Sequence, residues 1–206
     1  MSQYFEIHPK DPQPRLIKRT VEILRSDGII VYPTDSSYAL GCRMDSKTGL
    51  DTIRRIRRLD DNHNFTLVCS DISQVSNFAR MENESFRMMK SLTPGPFTFI
   101  LLATRETPKR IQHVKKKSIG IRLPDDPITQ AIVEELQEPL FSSTLILPDA
   151  EDALSDPEEI RDLLEHQVDL VIDAGHVPYE PTTIIDCTGE RPEIVRQGKV
   201  DVPSLH

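Results

Sequence analysis

Leu16, Ile17, Val21 and Leu24 return to one side of a helical wheel, while Lys18, Arg19, Glu22 and Arg25 fall on the other. Residues 15–27 are therefore predicted to form an amphipathic helix that Gly28 stops. The β-branched run 29–32 follows at once and reads as a buried strand. Pro33 breaks it, because proline lacks a backbone donor and fixes its own φ. Leu50, Ile53 and Ile56 recur at three-residue spacing and predict a second helix, capped by Asp45 or Ser46 and running to about Arg58, with its arginines outward. Further apolar runs predict strands at 65–69, 97–103, 118–123, 140–147, 168–172 and 182–187, and short helices at 72–79 and 83–92. Asp126 and Asp156, each followed by proline, open two more helices, one burying Ile128, Ile132, Val133 and Leu136 and one reaching His166. A turn at 188–192 and a return strand at 193–196 close a hairpin, and 93–96, 104–117 and 175–181 are left as turn and loops. Alternating helices and strands ending in a hairpin predict one α/β domain over 1–206. Its mixed sheet has flanking helices, and residues 1–14, with Pro9, Pro12 and Pro14, form a leader.

Two stretches interrupt the apolar pattern in a way that points to chemistry. Thr34-Asp35-Ser36-Ser37-Tyr38 follows the first strand, and such a cluster at a strand's C-terminal end either floors a ligand pocket or folds back as a hydrogen-bonded turn. Ser142-Ser143-Thr144 sits inside a strand where apolar residues would pack better. Alternate hydroxyls on a strand face one side, so they serve either a pocket or a polar sheet edge.

Charge sharpens this picture. The chain carries a formal charge of -8, but residues 149–165 alone hold eight acids against one base, which leaves the remainder nearly neutral. Arg54, Arg55, Arg57 and Arg58 form one basic cluster, and Lys109, Arg110, Lys115, Lys116, Lys117 and Arg122 form another. If they converge they make a positive cleft for phosphates or RNA; apart, they are solvated faces. Three cysteines without CxxC spacing argue against a disulfide framework or a zinc knuckle and suit a reducing cytoplasm. No apolar run approaches a membrane span, and the first residues do not resemble a signal peptide. GxxxxGK[ST], GxGxxG and GxSxG are all missing. The six histidines (His8, His63, His113, His166, His176 and His206) lack ligand spacing and read as surface residues, and Asp173-Ala174-Gly175-His176 reads as a strand-end turn.

Four stretches in order resemble the YrdC/YciO family: 32–41, Pro94-Gly95-Pro96-Phe97-Thr98, Ile119-Gly120-Ile121-Arg122 with Asp126-Pro127, and 181–186 leading to Arg196-Gln197-Gly198. The resemblance implies a YrdC-like twisted open sheet with a large, positively charged cleft. It also implies synthesis of threonylcarbamoyl-adenylate from threonine, bicarbonate and ATP, for the N6-threonylcarbamoyl modification of tRNA. Mg2+ would come with the phosphates, without a dedicated metal site. Carried over by motif, Arg57 and Arg122 would be catalytic, Thr34, Ser142, Thr144 and Thr182 would bind substrate, and Arg58, Ser142 and Arg196 would bind the nucleotide. The physical sense is that ATP, bicarbonate and an amino-acid carboxylate crowd negative charges together, which guanidinium groups neutralise and orient.

The departures bear on activity. Family synthases carry Lys-x-Arg-Pro where this chain has Arg57-Arg58-Leu59-Asp60, and Ser-Thr-Ser-Ala-Asn where it has Ser142-Ser143-Thr144-Leu145-Ile146. A guanidinium fork replaces an ammonium, a second cation is lost and an amide becomes aliphatic. Two or three lost charge-assisted contacts at roughly 1.5–3 kcal/mol each reduce the rate by a factor of hundreds or more. The expectation is a synthase-like enzyme with weak or altered activity. The alternatives are a binding module for nucleotide or double-stranded RNA without synthase chemistry, and an enzyme that passes an activated phosphoanhydride to water.

Overall fold

The computed structural model describes residues 1–60 and 62–202; His206 lies outside them. The chain begins with β1 (Gln3–Glu6), α1 (Pro14–Arg25), β2 (Ile30–Pro33), β3 (Tyr38–Arg43) and α2 (Lys47–Arg57). β4 (Thr66–Val68), α3 (Ile72–Phe78), β5 (Ala79–Arg80), α4 (Asn83–Leu92), β6 (Phe97–Ala103) and β7 (Ser118–Arg122) follow. α5 (Pro127–Leu136), β8 (Leu140–Thr144), α6 (Pro157–Leu164), β9 (Leu170–Asp173), β10 (Thr183–Asp186) and β11 (Glu193–Arg196) complete it. Local chemistry explains the helix starts. Ser46, not Asp45, caps α2 by accepting from Gly49 N, Asp126 accepts from Thr129 N, and Asp156 accepts from Glu158 N, with proline at the first turn of α5 and α6.

Among the described residues all eleven strands join one mixed sheet in the order β1-β9-β2-β3-β8-β4-β7-β6-β10-β11, with β5 paired to β6. Three strands lie where none was expected. Residues 3–6, read as leader, pair in parallel with β9 as an edge strand. Tyr38–Arg43 returns antiparallel along β2 to form a hairpin, and β5 is a two-residue bridge. Conversely, β8 stops at Thr144 rather than running to 147, because Ile146 N turns back to Thr144 O at 2.9 Å. A single turn of 3-10 helix, Lys109–Ile111, lies within the predicted loop 104–117.

The side chains of the sheet divide by parity. On one face Val31, Leu40, Leu67, Ile121, Phe99 and Phe141 meet Leu50, Ile53, Val75, Met89 and Ile160 of the helices in the larger core cluster. On the other, α1 and α5 pack Ile17, Val21, Leu24, Ile128 and Ile132 against Ile30, Tyr32, Val68, Leu140 and Leu170. Those two helices cover only part of that face, and the rest is the floor of a cleft. No helix among the described residues is long and apolar enough to cross a membrane.

Candidate functional site

The uncovered floor is where the hydroxyls go. Cross-strand register places Ala39 beside Thr144, Ser142 beside Thr66, Thr66 beside Gly120, and Gly120 beside Ile100. Ile184 lies beside both Thr98 and Arg196, so residues from β3, β8, β4, β7, β6, β10 and β11 share one side. All of them line a cleft of about 190 Å3. Gly120 keeps it open, because a Cβ there would stand 2.8 Å from Thr66 Oγ1. Ser142 Oγ is fixed by the buried Tyr32 hydroxyl at 2.6 Å, and burial pushes the Tyr32 phenol up to about 12. Thr98 and Thr182 share a hydroxyl contact at 2.8 Å.

Three guanidinium groups converge on this floor. Arg57, the last residue of α2, donates from Nε to Ile146 O at 3.1 Å and from Nη1 to Ser143 Oγ at 2.6 Å; burial lowers its pKa from the ordinary guanidinium value. Arg122 pairs through Nη2 with Asp35 Oδ1, and the other Asp35 oxygen accepts from Asp125 N at 2.8 Å. Both side chains of that pair are less than a tenth exposed, and Arg122 Nε has no hydrogen-bond partner. Arg196 donates to Thr182 O through Nε and Nη2, at 3.2 and 2.9 Å.

Of the residues expected to form the site, Arg57, Arg122, Ser142, Thr144, Thr182 and Arg196 line this cleft together. Thr34 and Arg58 do not. Thr34 Oγ1 accepts from Ser36 N and Ser37 N at 3.2 Å and donates to Ser37 O at 2.8 Å. The 34–37 stretch is therefore the β2–β3 hairpin turn, and it sends Ser36 rather than Thr34 to the cleft. Arg58 caps α2 in the left-handed region at φ 52°, which turns its side chain outward to Asp149 at 3.5 Å. The two basic clusters meet over the floor only through Arg57 and Arg122, and their other members stay outside it. Arg54 Nη2 reaches Arg110 O at 3.4 Å and Lys116 pairs with Asp186 at 3.2 Å, while neither Arg110 nor Lys115, Lys116 or Lys117 lines the cleft.

The connection 174–182 roofs the site. β9 and β10 lie seven pairings apart in the sheet order, which would be about 34 Å if the sheet were flat, near the full stretch of nine residues. Right-handed twist accumulating at each pairing curls the far strands toward each other, so a short strap suffices. It is tied down by Val177 N to Ser155 O at 3.0 Å and Glu180 N to Ser36 O at 2.9 Å, and it brings Tyr179 and Pro181 to the cleft. Opposite, His63 and Asn64 line the cleft from the segment before β4. His63 is half-buried, not a surface residue; burial and then Arg57 hold its pKa down at about 4, against the pull of Asp60. Tyr179, Asn64 and His63 escaped sequence reasoning because they lie in segments without periodicity, and only the flanking prolines of the strap mark it locally.

The chain as a whole is similar to several known proteins. The Escherichia coli (strain K12) protein YciO is 53% identical over 202 residues, 98% of each chain, and a Haemophilus influenzae protein is 54% identical over 199 residues, 96% of each. The crystal structure of E. coli YciO superposes with a TM-score of 0.94 over 98% of each chain. P. abyssi Sua5 complexed with L-threonine shares the fold at a TM-score of 0.88 and 17% identity, over 96% of this chain and 58% of that one. The profile of the Sua5/YciO/YrdC family, described as "Telomere recombination", matches residues 22–198, through every strand of the cleft floor, and the chain belongs to that family.

Proposed function

We propose that the protein is a threonylcarbamoyl-adenylate synthase-like enzyme of weak or altered activity, joining threonine, bicarbonate and ATP with release of pyrophosphate. The observation that carries this reading is the pairing of three guanidinium groups with a hydroxyl floor that no carboxylate lines among the described residues. Such a site favours ligands with several negative charges and short polar groups. Ser142, Thr144 and Thr182 supply uncharged hydrogen bonds for an amino acid, and the threonine complex of P. abyssi Sua5 supports that choice. Arg122 and Arg196 flank the carboxylate and phosphates, and Arg57 stands where the family carries a lysine. Mg2+ would be carried in by the phosphates and held by their oxygens and water, since the cleft offers it no carboxylate.

The same residues argue for low turnover. Two of the three nitrogens of Arg57 are engaged with Ser143 and Ile146 O, and Ile146 offers the adenine only a methyl-rich side chain where the family has an amide. Those two features favour a second reading, a nucleotide-binding module in the tRNA-modification setting that has lost its chemistry. Radiolabelled bicarbonate decides between them. Label entering a nucleotide adduct only with threonine and ATP both present supports the synthase. No incorporation at high enzyme, with ATP still bound by calorimetry, supports the module. Binding of hairpin RNA alone would displace both.

A further inference from the structure

The polar side of the cleft is dominated by guanidinium groups and hydroxyls, set among Ala39, Ile100, Ile146, Pro181 and Ile184. Arg57, Arg122 and Arg196 have only N–H groups to give, and no carboxylate joins them among the described lining residues. His63 differs from them, because the hydroxyls and the Asn64 amide accept hydrogen bonds but are not bases, whereas a neutral imidazole can take up a proton. Its ring is set edge-on to Phe65 at 5.4 Å, and Phe65 is itself held by the Arg54 guanidinium at 4.9 Å and by Phe141 at 5.3 Å. Charges reach His63 from each side: Arg54 and Arg57 from α2 and Asp60 just after it, with Arg122, Arg196 and Tyr179 lining the same cleft. Burial and the α2 arginines push the ring's pKa down to about 4, so near neutral pH it is ready to accept a proton but its affinity for one is low.

We propose that His63 is the proton acceptor of the cleft, brought into play when a polyanion occupies the arginine-lined floor. Burial is the larger reason the ring holds its proton weakly, and phosphate charge offsets the second, the field of the guanidinium groups, so the imidazole becomes a stronger base when the site is loaded. This rests on the synthase reading for the source of the proton, which is the ammonium of the amino-acid substrate. One N–H bond breaks, its electron pair stays on the amine nitrogen as the nucleophile, and the proton joins an imidazole nitrogen. The resulting imidazolium sits beside the phosphates, where its charge is compensated.

The test is a proton NMR titration of the His63 ring in the full chain, assigned by its loss in His63→Gln, with and without inorganic triphosphate. The expected result is a ring that stays neutral down to pH 5 in the free protein and is at least half protonated at pH 5 or above with triphosphate, a tenfold or greater gain in proton affinity. In turnover, His63→Gln is expected to lower kcat by about 10²–10⁴-fold while KM for threonine stays within about threefold. A free-protein midpoint near the ordinary histidine value overturns the proposal, as does a midpoint that triphosphate does not move. Unchanged kcat in His63→Gln does the same. Should the wild type form no adduct at any pH, the synthase reading falls, and the triphosphate-dependent shift alone decides whether His63 is the acceptor.

Discussion

Removing the Asp35 carboxylate should expose how much the site depends on one ion pair. Asp35 and Arg122 are each less than a tenth exposed, and Asp35 also accepts from Asp125 N, so it ties the β2–β3 turn to the end of β7. Asp35→Ala leaves the guanidinium buried without its counter-ion and frees a backbone N–H. Removing one partner of such a pair costs about 3–5 kcal/mol. At a urea slope of about 2 kcal/mol/M, the unfolding midpoint falls by about 1.5–2.5 M. Arg122→Met alone strands the carboxylate and should cost a similar amount. The double variant removes both charges and should lose much less than the two singles together, because no uncompensated ion remains. Inorganic triphosphate should stabilise Asp35→Ala more than wild type, since phosphate oxygens take the place of the lost carboxylate. Urea melts of the four proteins, with and without triphosphate, read all of this. Singles that add to within about 0.5 kcal/mol would refute the pairing as a source of stability.

Three further outcomes follow from the same structure. Tyr32→Phe removes the hydroxyl that fixes Ser142 Oγ, a loss of about 1 kcal/mol, so ATP should bind about fivefold more weakly by calorimetry; unchanged affinity would mean Ser142 needs no orienting. Gly120→Ala places a Cβ 2.8 Å from Thr66 Oγ1 and 3.0 Å from Phe65 O, and should lower stability by about 1–3 kcal/mol in thermal melts and narrow the cleft. Burial raises the Asp126 pKa to about 6 in the folded state, above its ordinary value of 3.8. The folded chain thus holds a proton that the unfolded chain releases, and the resulting stability, full below pH 4, is lost as pH rises through 6. Asp126→Asn keeps a cap and should flatten that slope in urea melts taken from pH 4 to 7; an unaltered slope would assign it elsewhere.

What could be read from the sequence was what is decided within a few residues. Asp126 and Asp156 cap their helices through their own side chains, and the apolar stripe of α1 buries Ile17, Val21 and Leu24 as its period requires. β1 and β3 could not be read this way. Gln3–Glu6 becomes a strand only through β9, some 165 residues later, and Tyr38–Arg43 carries Ala, Gly and Cys, which have little strand preference of their own. Six of the eight predicted site residues share the cleft, because hydroxyls on an otherwise apolar sheet and arginines at element ends are chemically conspicuous. Thr34 and Arg58 miss it for reasons of backbone geometry, a turn closed on itself and a left-handed cap. His63 had the opposite fate: its composition suggested solvent, and only the curl of the sheet and the packing of Phe65 put it against the arginines.

The position of β8 has a bearing on how the chain is made. It pairs with β3 on one side and β4 on the other, although both are synthesised well before it. A nascent chain that has emerged from the ribosome only as far as α5 therefore carries two strands whose inner margins await residues 140–144, open to pairing with a neighbouring polypeptide. Chaperone occupancy during translation should fall once that segment is released, and truncation just before Leu140 should yield aggregates rather than a smaller folded protein.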